Sequence, residues 1–291
     1  MLVIFRAILA LFLFVSCSVS AKVINWSSAL DDSSWHFSGS KTSCVLSHPV
    51  HQFGTVKIIS EAGEKTRLLL NSTKVKTLNN VVNIESISPP WLKNSEVELY
   101  PYRYGYISPS DNSLIVNDVE NVVNELNNGR WVAINLTDKR QINNTVIVQN
   151  INIEQSVSDY LQCQNQLIAF NYQQIRDSVF YFKPGSTHLN PQVIKKLEGI
   201  AEYIDIDSKV RKVLIDGYSD QSGQFSSKMR ISRQRADEVA AMLMELGVPH
   251  QLIQIRSHGD RYLASSLTTP QALQLNRRVT VRLVRKSGAS S

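Results

Sequence analysis

The chain has 291 residues, 43% of them hydrophobic and 19% charged, which points to about two ordinary globular domains and away from a low-complexity or repeat architecture. The net charge of +6 is unevenly placed, with 12 basic and 14 acidic residues from Lys22 to Tyr172 against 18 and 11 from Gln173 to Ser291. A basic half can serve nucleic acid, but no aromatic-rich basic groove or nucleic-acid module signature is present, and nucleic acid is ranked out as a partner.

The first residues set the compartment. Met1 to Ala21 carries one positive charge, Arg6, then an apolar run from Ala7 to Val15 and small residues ending in "VSA". This is the pattern of a secretory signal peptide cleaved after Ala21, and the run is short for a membrane span. Cys17 leaves a lipoprotein alternative, which the preceding "FVS" fits poorly. An exported chain meets lipid head groups and cell-wall polymer before it meets nucleic acid. Without Cys17 two cysteines remain, Cys44 and Cys163, and an even count in an oxidising compartment favours a disulfide over two buried thiols.

The N-terminal half reads as β-rich. "TVKIIS", "RLLLN", "VVNIESI", "EVELYPYRY" and "SLIVN" are strand-like runs separated by Gly, Pro, Asn and Ser clusters. One helix interrupts, with Asp118 as cap, Val119, Val122, Val123 and Leu126 on one face, and Gly129 as stop. "RWVAINL" and "TVIVQNI" resume the strands. A helical stretch around Val157 to Leu167 carries Cys163, so a bond to Cys44 ties the end of this domain to its beginning.

The C-terminal half changes rhythm. "DSVFYF" is a strand, and Asn190 with Pro191 opens a helix whose stripe is Val193, Leu197, Ile200 and Ile204. "KVLIDGY" is the next strand. A second helix is expected after Ser232, with Val239, Leu243 and Leu246 inward and Gly247 and Pro249 closing it. "LIQIRSHG" and "RRVTVRLV" complete the order β-α-β-α-β-β. That order specifies an α+β fold, a two-layer sandwich with two helices on one sheet face. The expected domains are 22–170 and 173–286, with 1–21 a leader and 287–291 a disordered tail.

Enzyme and metal signatures do not assemble. No "GxSxG" stretch is present, the proline in "HPVH" spoils a helical ligand face for His48 and His51, and each histidine reads better as a satisfied surface or core residue. No cofactor is implied. The informative stretch is "DGYSDQSGQFSSKMRISRQRADEV", which sets Asp220 after a strand end and Arg235 fifteen positions later on a helix. A guanidinium fork suits a carboxylate and an aspartate suits an ammonium, so the two together complement a zwitterionic amino-acid group. The bland reading, that they pair with each other, is left open by spacing alone.

"IDGYSD", "ISRQRADEV" and "NRRVTVRL", in that order, resemble the OmpA-like peptidoglycan-binding domain, and "VFYFKPGSTHLNPQVIKKLEGIAEYI" is similar to that family's first strand, loop and helix. The resemblance spans about 110 residues. Gly217, Ser219 and Asp220 match the first motif, Ile231, Ser232, Arg235 and Ala236 the second, and Asn276, Arg277, Arg278 and Val279 the third. It implies that Asp220 holds the amine and Arg235 the carboxylate of diaminopimelate in the wall peptide, with Ser219 and Arg278 beside them. Lys228 replaces a frequent asparagine, Ala272-Leu273 replaces a usual Gly-Arg, and the turn "SHGDRYLASS" lacks the customary proline.

"CVLSHPVHQFGTVKIIS", "RLLLN" and "ESISPPW", with Cys44, Cys163 and Pro89-Pro90-Trp91, are similar to the MotY family of sodium-driven flagellar motors. This resemblance implies a non-enzymatic periplasmic protein in a ring around the flagellar basal body, with a MotX-like partner and the stator complex nearby. A general OmpA-like envelope anchor unrelated to motility is the alternative.

Overall fold

The computed structural model describes residues 23–286 apart from Asn94 and Pro109. The expected leader at 1–21, the Cys17 question and the expected tail at 287–291 lie outside the described residues. No described helix is long and apolar enough to cross a membrane.

The N-terminal half is a sandwich of two sheets. One has the strand order Val23–Trp26, Asn143–Val148, Trp131–Asp138, Leu78–Ile87, Glu96–Tyr104, with its first pair parallel and the rest antiparallel. The other runs His36–Gly39, Ser43–Val50, Gly54–Glu61, Arg67–Asn71, Ser113–Asn117, Tyr106–Ser108, antiparallel throughout. Alternation drives the assembly, because every second residue of a strand shares one face. Leu46, Ile58, Leu68, Leu70 and Leu114 of one sheet meet Val82, Ile84, Val132, Ile134 and Val146 of the other in a single buried core. Helices Asn121–Asn127 and Glu154–Asn165 add Val122, Leu126, Val157 and Tyr160 to it.

Cys44 and Cys163 form a disulfide, with Cα atoms 6.0 Å apart. It ties the helix Glu154–Asn165 to the strand Ser43–Val50. The Tyr160 hydroxyl lies 2.7 Å from Ser60 Oγ, fixing the same helix at a second point. The short helix departs from its expected start. Asp118 takes a left-handed backbone, φ 61°, and Val119 is a core residue before the helix rather than in it.

The C-terminal half is a four-stranded sheet in the order Asp177–Tyr181, Arg278–Arg285, Val210–Gly217, Ile253–Ser257. Helices Pro191–Ile206 and Phe225–Glu245 cover one face, as the α+β expectation requires. Phe180, Val213, Ile215, Val279, Val281 and Leu283 point at those helices and are buried. Asn190 caps the first helix by accepting the Val193 N–H at 3.0 Å. Two short helices, Tyr172–Ile175 and Pro270–Asn276, were not expected.

The long helix starts seven residues before the expected Ser232. That serine is fully buried inside the helix, where its hydroxyl donates to the Met229 carbonyl and accepts the Gly259 N–H. A residue type that suits a cap here serves as an internal tie between helix and turn. Consequently Arg235 sits at the middle of the helix rather than in its first turn.

The halves meet at the turn after Glu61. Ala62 belongs to the C-terminal core, Asn171 Nδ2 donates to Glu64 at 2.8 Å, and Gln174 Nε2 donates to the Gly63 carbonyl at 2.7 Å.

Candidate ligand-binding site

Gly217 ends the strand Val210–Gly217 under the long helix. A Cβ there would stand 2.0 Å from the Ser232 carbonyl oxygen, so only glycine lets strand end and helix approach this closely. Beyond it the chain is held on two sides. The Tyr218 N–H donates to the Arg278 carbonyl, and the Ser219 N–H to the Gly259 carbonyl at 2.8 Å. Ser219 is itself buried, and its hydroxyl donates to the Asp220 carbonyl at 3.1 Å. These bonds place the Asp220 side chain at the sheet end.

Asp220 splits its two oxygens between two partners. Oδ1 accepts the Ser222 N–H at 3.0 Å, and Oδ2 accepts from Arg277 Nη1 at 2.8 Å. The side chains of this ion pair are 15% and 9% exposed. Arg277 is fixed in turn by donating to Gln274 Oε1 at 2.8 Å and to the Phe182 carbonyl at 3.3 Å.

Arg235 is 1% exposed, the largest fully buried side chain among the described residues. Its Nε donates to the Ser186 carbonyl at 2.9 Å, Nη2 to the Lys183 carbonyl at 3.2 Å and Nη1 to the Tyr218 carbonyl at 3.4 Å. The guanidinium lies 5.2 Å from the Phe182 ring centroid. A guanidinium has five N–H groups, so three carbonyls leave two without a backbone acceptor. Burial pushes the Arg235 pKa down to about 10; the Asp220 charge opposes that shift and the Arg277 charge adds to it. Arg235 is therefore cationic at neutral pH.

Among the described residues Asp220 pairs with Arg277, and Arg235 makes no ion pair. The open question of the sequence thus resolves geometrically: acid and arginine do not neutralise each other. One carboxylate and two guanidiniums carry a net charge of +1, and with Asp220 paired to Arg277 the excess positive charge sits on Arg235, where it attracts a carboxylate.

The structure brings Ser219, Asp220 and Arg235 to one end of the domain and does not bring Arg278 there. Arg278 stacks 4.0 Å over the Tyr218 ring and donates to the Tyr262 carbonyl at 3.0 Å, on the sheet face away from the helices. Strand alternation is the reason. Val279 points at the helices, so Arg277 shares its side and Arg278 faces the other way. That signal was present in "NRRVTV" and singles out Arg277. The carbonyls of Lys183 and Ser186 carried no side-chain signal. Lys228 pairs with Asp260 at 2.5 Å across the rim, and buried Asn276 accepts the Ala264 N–H at 2.7 Å, pinning the turn that follows His258.

A model described as the MotY N-terminal domain matches residues 26–169, and one described as the OmpA family matches residues 181–277. The chain joins a MotY N-terminal domain to an OmpA-family domain. It is 23% identical to the sodium-type flagellar protein MotY of Vibrio parahaemolyticus over 246 residues, 83% of this chain and 84% of that one. It is 33% identical to the probable lipoprotein YiaD of Escherichia coli over 102 residues, 35% of this chain and 46% of that one. A solved structure, the peptidoglycan-associated lipoprotein of Burkholderia pseudomallei, is 24% identical and covers 36% of this chain and 89% of its own, with a TM-score of 0.35. The cluster of Asp220, Arg235 and Arg277 lies wholly within the OmpA-family match.

Proposed function

We propose that this chain is a periplasmic, non-enzymatic component of a flagellar motor that fastens the basal body or its stator to peptidoglycan. The MotY N-terminal domain docks on the motor, with a MotX-like protein as partner and other copies as ring neighbours. The OmpA-family domain grips the wall without covalent chemistry. Asp220 takes the ammonium, and Arg235 the carboxylate, of a diaminopimelate side chain in the wall peptide. Arg277 orients Asp220 and adds the second positive charge; Ser219 positions the loop. The observation that supports this reading is that Asp220 pairs with Arg277 while Arg235, held by three backbone carbonyls at the same end of the domain, makes no ion pair among the described residues.

The physical case for such an anchor is simple. A rotary motor needs a fixed reaction point, and a covalent polymer supplies one. Hydrogen bonds to charged groups contribute about 1.5–3 kcal/mol each, so one site binds modestly and a ring of copies raises the grip through avidity.

Sedimentation with purified sacculi tests the wall half of the reading. The mature chain pellets with sacculi, and Asp220→Ala and Arg235→Lys each reduce the pelleted fraction; unchanged pelleting by both removes the clamp. Swimming of a deletion strain tests the motor half. Loss of motility with an intact envelope supports it, and normal swimming with a weakened envelope favours the general anchor.

A further inference from the structure

The outer face of the five-stranded N-terminal sheet carries a feature that wall anchoring by Asp220 and Arg235 does not use. Asn25, Thr145, Asn135 and Asn83 stand in register on four adjacent strands. Strands lie about 4.8 Å apart, so this row presents polar groups over roughly 14 Å. Thr145 Oγ1 donates to Asn135 Oδ1 at 2.8 Å, and Asn83 Nδ2 donates to Glu85 at 2.8 Å. Asn83 Oδ1 is shielded from solvent and has no hydrogen-bond partner.

Thr145, Asn135 and Asn83 of this row line a concavity of about 610 Å³, and Asn25 extends the row beyond it. Six asparagines and one glutamine line it, together with two threonines, and no Asp, Glu, Lys, Arg or His does. A solvent-facing sheet side is polar by default, but in a chain with 19% charged residues it is ordinarily charged as well. At the rim the strand Glu96–Tyr104 is irregular opposite Asn83. There Tyr102 takes a left-handed backbone, φ 49°, and its side chain is 78% exposed. A non-glycine residue in that region carries backbone strain, and here the strain holds an aromatic ring out beside the amide row.

We propose that this face is a carbohydrate-binding site for an uncharged, N-acetylated pyranose chain. A carboxamide carries an acceptor and two donors in one plane, the complement of paired sugar hydroxyls and of an acetamido group, and Asn83 Oδ1 is left without a partner here. The Tyr102 ring provides a flat apolar surface for the C–H face of a pyranose. No charged side chain lines the concavity itself, the Glu85 carboxylate being held beside it by Asn83, and this suits a neutral ligand, in contrast to the cationic cluster of the other domain. The length of the row spans two to three linked rings at roughly the strand spacing.

Chitotetraose is the probe, titrated into the mature, disulfide-bonded chain and followed by calorimetry and by amide NMR shifts. Binding is expected, with Tyr102→Ala and Asn135→Ala each weakening it about tenfold or more and Asp220→Asn leaving it unchanged. If Asn135→Ala loses the native spectrum, Thr145→Val takes its place. Maltotetraose, which lacks acetamido groups, is expected to bind at least several-fold more weakly. No binding of chitotetraose, or binding untouched by Tyr102→Ala, overturns the proposal. Equal binding of the two sugars overturns the acetamido selectivity. Because the Asp220→Asn variant reports separately on the wall-peptide clamp, either site can fail without the other.

Discussion

The Asp220 carboxylate meets the Arg277 guanidinium at 2.8 Å, joining the loop after the strand Val210–Gly217 to the end of the helix Pro270–Asn276. Both side chains are largely shielded, so truncating one strands the other. Breaking a buried pair costs about 3–5 kcal/mol. Arg277→Ala is therefore expected to lower the urea midpoint strongly. Arg278→Ala removes only a partly exposed cation from the Tyr218 ring and is expected to cost under about 1 kcal/mol. Equal effects of the two substitutions would contradict the assignment of Arg277 as the partner of Asp220.

His48 gives the N-terminal domain a pH dependence. Its ring is fully buried and stacked on Trp35 at 4.7 Å. Nδ1 donates to the Ser34 carbonyl at 2.9 Å, and the shielded Nε2 has no partner. Burial pushes the His48 pKa down, and the Ser34 carbonyl offsets this only in part. The folded state then binds this proton less readily than the unfolded chain, whose histidine titrates near about 6.5. The stabilising contribution is complete above that pH and is lost as pH falls from there through the folded value. Two-dimensional NMR is expected to show the His48 ring neutral where exposed histidines are already protonated. A His48 titration at or above the exposed ones would contradict this.

The disulfide closes a separation of 119 residues. Chain entropy alone assigns a loop of that size about 5 kcal/mol. The Cys44→Ala, Cys163→Ala double variant is expected to unfold at markedly lower urea in the N-terminal half, while binding by the OmpA-family domain persists at low denaturant. An unchanged midpoint would show that the two sheets need no such tie.

Much of this architecture was legible in sequence because local signals agreed with the global fold. "RLLLN", "EVELYPYRY" and "SLIVN" are strands with the bounds their composition suggests. Asn190 and Pro191 mark a helix start in both sequence and structure. The misses have physical causes. Ser232 resembled a cap because its hydroxyl bonds backbone groups, but those groups belong to a distant turn and to its own helix. Strand Val23–Trp26 is short, and its parallel partner lies more than a hundred residues away, beyond any local signal. At the site, Asp220 and Arg235 stood out by residue type. Arg277 required reading the facing of one strand, and the carbonyl cradle of Arg235 required tertiary structure.

The central claim is that a zwitterion is seated between Asp220 and Arg235. Calorimetric titration of the chain with L-Ala-γ-D-Glu-meso-diaminopimelate, and with the same peptide carrying L-Lys instead, tests it most directly. The lysine peptide keeps the ammonium and lacks the carboxylate, so it forfeits the Arg235 contact. Losing a hydrogen bond to a charged group costs about 1.5–3 kcal/mol, so the lysine peptide is expected to bind at least about tenfold more weakly. Asp220→Asn and Arg235→Lys are each expected to weaken the diaminopimelate peptide. Equal affinity for the two peptides, or affinity untouched by both substitutions, would contradict the account.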